Sequence, residues 1–448
     1  MMVSATLAEY LSGLNYDALP APVLRQAKRC LLDYLGVTLA GGATVTAGQV
    51  RQFLQGFPGE EGVTVIGMEH RTDVLKAALA NGMLAHALEL DDGDRRAAVH
   101  PGAVVCSAVL PLAEQESIDG RRLLTGIVAG YEAALRVGRA VQPEHRARGF
   151  HATGTCGTLG AAVAVAVVRG ASSDELARAL GLGATSASGL LQFLEDGSQI
   201  KHYHAGKAAL CGVLAADLAR CGLTAPVDIL EGKRGFFQAL GRQDDAAACI
   251  RGLGDDFAIQ GIYVKPYAAC RHAHAPIEAA LTLRQRHDLV PEHLDRITVV
   301  TYHAAVDGHQ DPAPRGTVGA TMSTPYSVAV ALCAGRAGPR EFAGEALQNA
   351  PVLHLAGRVT VVEDAALTAL VPERRPAIVT VRTVDGQEYT HRVDLPRGEP
   401  ENPVSDADLE RKFRDLAGVN RSAEVCDRIV QVVAGIENRI GELFPLLR

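Results

Sequence analysis

Five short segments of this 448-residue chain set His, Lys, Asp or Tyr among glycines and prolines. They are Asp91-Asp92 with His100-Pro101, Gly149-Phe150-His151, Asp196 to Lys207 with Lys201 inside it, Lys265-Pro266-Tyr267, and Pro325-Tyr326. Turns hold side chains at the ends of rigid elements, where sites usually form. Removing a proton beside a carboxylate creates a dianionic, enolate-like species. Its stabilisation requires fixed positive charge or strong donors, together with a base that titrates near neutrality. Histidines and lysines offer both, and Tyr326 adds a proton or a hydrogen bond. Arg95 and Arg96, directly after the acidic run, are placed to bind further carboxylates bidentately. The pattern therefore points to acid–base work on a small anionic substrate.

Each residue also has a purely structural reading. Asp91-Asp92 could cap a turn, His151 could be a satisfied core histidine, and Lys201 and Lys265 could be ordinary surface lysines. Tyr326 beside Pro325 could pack at a helix start with a bonded hydroxyl. His86 lies on the apolar face of its helix and reads as core. Metal binding draws on Cys270-Arg271-His272-Ala273-His274 and His202-Tyr203-His204, which place ligands two apart. Arg271 and Lys201 would set positive charge against the ion, and no HExxH or paired-Cys motif appears, so no metal is expected. Cys156 and Ser198 lack the G-x-S-x-G elbow of a nucleophile. Neither GxxxxGK[ST] nor a GxGxxG after a strand is present, which removes most support for nucleotide chemistry.

The elements that must position these groups fall into two textures. The first 250 or so residues read as helices. Pro22 opens one, with Leu24, Ala27, Leu31 and Leu35 as its stripe and Gly41-Gly42 closing it. A second starts at Thr72-Asp73 and carries Leu75, Leu79, Met83 and Leu90, running into Glu89-Leu90-Asp91-Asp92. Gly157 to Val168 is apolar on every side, as in a bundle's central helix. After about Lys265 strands appear: Ile297-Val299-Thr301, Val359 to Val362, and two runs flanking the hairpin signal Asp385-Gly386. Ser405-x-x-Asp408 restarts helix, and Val425, Ile429, Val432, Ile436 and Ile440 continue it. The expected fold is mostly α. Residues 1–265 and 400–448 form a large all-helical domain, and 266–399 an inserted α+β lid, with 398–404 as the return linker. Composition agrees, with 48% apolar and 21% charged residues, only 4% aromatic and no Trp. The formal charge of −7 argues against nucleic acid or an anionic membrane surface. No run approaches the ~20 apolar residues of a membrane span. Nine scattered cysteines and no secretory signal indicate reduced thiols and a cytoplasmic location.

Read in order, the segments LELDDGDRRAAVHPGAVV, GYEAALRVGRA, GFHATGTCGTLGAA, ASGLLQFLEDGSQIKHYHAGKAA, KPYAACRHAHAPIEAAL, TPYSVAVAL and NPVSDADLERKFRDLAG resemble the MmgE/PrpD family. That family contains 2-methylcitrate dehydratases, cis-aconitate decarboxylases and iminodisuccinate epimerases. The resemblance implies the helical domain with its inserted lid, a homodimer, a site between domain and lid, and no organic cofactor. By motif it assigns active-site positions to His100, His151, Lys201 and Lys265, and the lid tyrosine to Tyr326. The family's acidic cluster falls on Glu89, Asp91 and Asp92. Substrate groups would be read by these carboxylates, by Arg95, and by Cys270, His272 and His274. Relative to the decarboxylase branch the loop after the Asp pair is one residue longer, Glu89 replaces an aspartate, and Cys270 stands where a lid histidine is placed. The expected activity is a cofactor-independent lyase on a small di- or tricarboxylate, of the dehydratase kind. An epimerase, a decarboxylase and a silent carboxylate binder are the alternatives in that order, with a metal-dependent hydrolase as a separate class.

Overall fold

The computed structural model describes residues 2–57, 62–241 and 246–448. Pro22 lies in the first turn of helix α1 (Ala21–Gly41), where its missing N–H leaves no bond unmade. The expected stripe is real: Ala27, Leu31 and Leu35 are fully buried. Asp73 caps α2 (Val74–Ala85) by accepting the Lys76 N–H at 3.0 Å. This helix stops well short of Leu90, contrary to the periodicity. His86 ends it, and Glu89 adopts φ 55°, a left-handed conformation no helix continues through.

Four further helices complete the centre of the bundle: α3 (Pro101–Glu116), α4 (Gly120–Val141), α5 (Ala152–Val168) and α6 (Ile200–Arg220). Helix α5 is buried on nearly every side and packs on both α4 and α6. Its alanines and glycines permit that proximity. One tight crossing is between α2 and α6, where a Cβ on Gly82 would sit 2.7 Å from the Gly206 Cα. That crossing brings the start of α6 beside the turn that follows α2.

Past residue 265 comes α7 (His274–His287), then β1 (Leu294–Thr301), α8 (Thr324–Ala334), β2 (Val359–Glu363), β3 (Ala377–Thr383) and β4 (Glu388–Val393). The sheet order is β2-β1-β3-β4, with β1 and β2 parallel and the other pairs antiparallel. Val299 stands opposite both Val361 and Val379, so one face is apolar and packs on α7 and α8. The Asp385-Gly386 turn closes β3 to β4, with Gly386 at φ 87°.

Ser405 then caps α9 (Asp406–Ala417), its hydroxyl accepting the Asp408 N–H at 3.1 Å. The terminal apolar pattern resolves into two helices, α10 (Ala423–Ala434) and α11 (Ile436–Leu447), parted at Gly435. Helix α9 packs on α1. Lys412 reaches across to the Asp33 carboxylate at 2.6 Å and the Leu90 carbonyl at 2.8 Å. One hydrophobic core unites residues from Val3 to Val264 with others from Val404 to Leu447. A second runs from Ala268 to Val393 and also takes in Val37, Ala40, Leu88, Leu90 and Leu416. None of the nine cysteines forms a disulfide. Among the described residues, no single helix is long and apolar enough to cross a membrane.

Candidate active site

Three helices direct their N-termini to one place. His100 is the N-cap of α3, His151 the N-cap of α5, and Lys201 the second residue of α6. Each helix start carries partial positive charge and free N–H groups, so the junction suits an anion and disfavours protonation of the bases it holds. The turn after α2 supplies the acids. Lys265, fully buried, donates to the Glu89 carbonyl at 2.9 Å and lies 3.2 Å from its Oε2, while Lys201 pairs with Oε1. One carboxylate thus serves two amines and can neutralise only one positive charge. Burial, then the nearby Lys265 charge, holds the Lys201 amine well below its ordinary range. A lysine so placed gives up its proton more readily than a free one.

Asp91 lies between two imidazoles. Its Oδ2 is 2.7 Å from His86 Nδ1 and 3.5 Å from His100 Nδ1. His100 Nδ1 is also 2.7 Å from the Asp92 carbonyl, which only accepts, so Nδ1 carries the hydrogen and Nε2 offers its lone pair. Burial pushes His100 down to about 4, with Lys265 adding to the effect against Asp91. His151 Nδ1 meets His204 Nδ1 at 3.1 Å, and its ring lies 5.9 Å from His86 and 5.4 Å from Phe193. Burial and the neighbouring imidazoles hold His151 well below its usual value. These rings are neutral at pH 7.

Asp92 has a supporting part. Tyr131 donates to Oδ2 at 2.7 Å and the Gly102 N–H to Oδ1 at 3.0 Å. A Cβ on Gly102 would come within 2.8 Å of Oδ1 and of the Tyr131 hydroxyl, so this approach requires glycine. Burial raises Asp92 to about 7, with Asp33 and Asp91 adding to it.

The inserted segment contributes the other side. His272 Nδ1 is 2.6 Å from the Tyr302 hydroxyl, and its ring lies 5.1 Å from that of His309. His309 Nδ1 donates to the Met322 carbonyl at 2.7 Å, leaving a buried Nε2 without a partner. Cys270 stands beside them, its thiol part of the field that Lys201 feels.

Not every expected residue joins the cluster. Arg95 is held by Glu399 at 2.9 Å and by Glu401, so two carboxylates of the chain already occupy the fork expected to read substrate. Arg96 pairs at the surface with Glu373. His274 receives Arg271 Nη1 at 2.8 Å and donates to the Ala269 carbonyl at 3.1 Å, which satisfies both nitrogens inside the lid core. The Tyr326 hydroxyl donates to the carbonyls of Glu341 and Ala346, at 3.0 and 3.1 Å, within the lid's own loops. Cys156 is buried and pushed up to about 12 by burial, which leaves no thiolate. His86 is buried as the apolar face suggested, yet it belongs to the cluster through Asp91. Residue spacing alone did not reveal Tyr131, Tyr302 or His309 as neighbours of the site.

Two trios of potential ligand atoms, Cys270-His272-His309 and His86-Asp91-His100, each lie within 4.8 Å of one another. Positive charge faces both. Burial, then Arg375 and more weakly Lys265, depresses His272, and burial with Lys265 among the lesser causes depresses His86. A cation would enter against that field, whereas an anion is attracted by it.

A helical bundle and an α+β segment that meet over lysines, neutral imidazoles and one shared carboxylate define an acid–base site for an anion. The chain matches the MmgE/PrpD N-terminal domain over residues 5–248 and the MmgE/PrpD C-terminal domain over residues 267–437. It belongs to the MmgE/PrpD family, a family of enzymes that includes lyases. It is 27% identical to a cis-aconitate decarboxylase of Aspergillus terreus, over 99% of this chain and 95% of that one. The mouse and human cis-aconitate decarboxylases are 26% and 25% identical, each over 97% of this chain and 91% and 92% of their own.

Proposed function

We propose that the protein is a cofactor-independent lyase that removes an α-proton from a small di- or tricarboxylate, with dehydration as the outcome. The observation that carries this is Glu89 shared between Lys201 and Lys265. It supplies a proton-poor amine beside a second lysine, which is what an enolate-forming step needs. In this reading the Lys201 amine takes the α-proton and Lys265 stabilises the charge that develops on the carboxylate. The carbon–carbon double bond then forms as the β-hydroxyl leaves. That hydroxyl departs as water with the proton that Lys201 has taken up. A phenol donating from Tyr302 to His272 Nδ1 leaves the His272 hydrogen on Nε2, a neutral hydrogen-bond donor for the departing oxygen. His100, with its Nε2 lone pair, and His151 serve as proton carriers.

Decarboxylation is the second reading, favoured by the relatives' names. Proton NMR in D2O with citrate, 2-methylcitrate, cis-aconitate, malate, tartrate and iminodisuccinate separates the outcomes. We expect new vinyl signals with loss of a carbinol. Vinyl product with release of CO2 from cis-aconitate would replace dehydration by decarboxylation. Deuterium at an α-carbon of an unchanged skeleton would make it an epimerase. No reaction and no exchange across the panel would sink the α-proton mechanism.

The reading extends to a homodimer in the cytoplasm. Ile200, Tyr203, Leu214 and Leu218 expose an apolar stripe along α6, on the face turned from Lys201. Stripes of this kind mark interfaces. Leu214→Glu with Leu218→Glu is expected to convert a dimer to a folded monomer in light scattering. A variant that stays dimeric, or a wild-type chain that is monomeric, refutes the stripe as the contact.

A further inference from the structure

Among the described residues, Arg375 is a guanidinium without a counter-ion. It is 8% exposed and lies just before β3, where Thr301 Oγ1 fixes the next residue's carbonyl at 2.8 Å. Among the described residues it donates one hydrogen bond, from Nη2 to the Arg95 carbonyl at 2.8 Å. Its buried Nε has no partner, and no carboxylate of the described residues lies within ion-pair distance. Glu399 is the nearest acid that its charge reaches, but Arg95 occupies Oε2 of that carboxylate and Arg271 occupies Oε1. Three arginines, 95, 271 and 375, therefore face Glu399 and Glu401, and one positive charge is left over. A guanidinium does not escape by losing its proton, and an unpaired buried charge is costly. The groups around it belong to the site: Tyr302, Tyr263 and Cys270 feel its charge, as do His272 and His100.

We propose that Arg375 anchors one carboxylate of the substrate through its unpaired edge, while Lys265 receives the carboxylate next to the reacting carbon. This rests on the polycarboxylate reading above and adds how length and charge are selected. The site has two cationic poles, one in the bundle and one at the lid. A monocarboxylate fills one pole and leaves the other charge buried and bare, so the second acid group is a requirement and not an ornament. Arg95 takes part by presenting its carbonyl to Arg375 and by screening Glu399 from it.

The test is calorimetric titration of the full chain with tricarballylate, which has no hydroxyl to eliminate, and with butyrate, which has a single carboxylate. Wild-type protein is expected to bind tricarballylate more tightly. Arg375→Gln is expected to weaken tricarballylate by about 10- to 100-fold, in line with loss of a charge-assisted hydrogen bond. It is expected to weaken butyrate less, so that discrimination between the two acids shrinks. Arg375→Lys, a point charge without the fork, should fall between. Melting curves check that the variants fold. If the Gln variant does not fold, the Lys variant carries the test with an expected loss of about fivefold. Wild-type binding with a variant unchanged within twofold overturns the anchor and leaves the polycarboxylate reading standing. A wild-type chain that binds neither acid overturns both.

Discussion

Replacing Lys201 by methionine is expected to lower turnover by about 10²- to 10⁴-fold, the range for loss of a positioned base, while the melting temperature holds or rises. The two halves of this result have one cause. Lys201 and Lys265 share Glu89, so removing Lys201 leaves a one-to-one pair and relieves the repulsion that holds its amine down. Methionine keeps most of the side-chain volume, and the buried site is not opened. Lys265→Met is expected to behave differently. Its Nζ also binds the carbonyl of Glu89, the residue at φ 55°, so its loss frees a buried carbonyl and loosens the turn that carries Asp91 and Asp92. That variant should lose activity and melt earlier. The pair is read by the rate on whichever acid the NMR panel identifies and by thermal unfolding. A Lys201→Met enzyme within threefold of wild type would remove Lys201 from the base's role.

A steep loss of stability between pH 6.5 and 4.5 is the second large effect. Burial pushes His100, His202, His204 and His309 each down to about 4. The unfolded chain binds protons on these rings near pH 6.5, and the folded chain does so only near 4. Between those values the unfolded state holds more protons, so stability falls as pH falls. Each ring is worth about 3 kcal/mol once pH has dropped through its folded value. Two such rings rival a large part of the ~5–15 kcal/mol that holds a protein folded. Asp92, raised to about 7, works the other way: its contribution is present in acid and fades as pH rises from about 4 to 7. One carboxyl does not offset four imidazoles. Melting temperatures across this range, with proton uptake on unfolding from buffers of different ionisation heat, would show it. A flat profile from pH 6.5 to 5 would mean that these histidines are charged in the folded protein.

How much of this could be read from residues alone depended on where each group sits. His100, His151 and Lys201 stand at helix starts, and helix starts carry local marks: Pro101, the glycines after His151, the polar run before Lys201. The strands were legible for a similar reason, since Val299, Val361 and Val379 alternate with polar neighbours on a half-covered sheet. The end of α2 was not, because Leu90 continues its apolar spacing while Glu89 is turned aside toward two lysines, one of them 176 residues away. His86 showed only its apolar face, and its partner Asp91 lies in the turn beyond. His272 and His274 look equivalent in sequence, yet the short turn at Arg271–Ala273 aims one at Tyr302 and the other into the lid core. Tyr302 and Arg375 reach the site from the ends of paired strands, and His309 from a loop bonded to Met322 and Thr324, none of which leaves a mark near them in the sequence.

The core that unites the first 264 residues with the last 45 has a consequence for synthesis. Helix α1 leaves the ribosome some 370 codons before its partner α9. The contact of Lys412 with Asp33 and the Leu90 carbonyl closes only after the sheet and its two helices have been made. Until then the side of α1 that α9 covers waits bare, and the nascent chain carries an apolar surface in need of shelter.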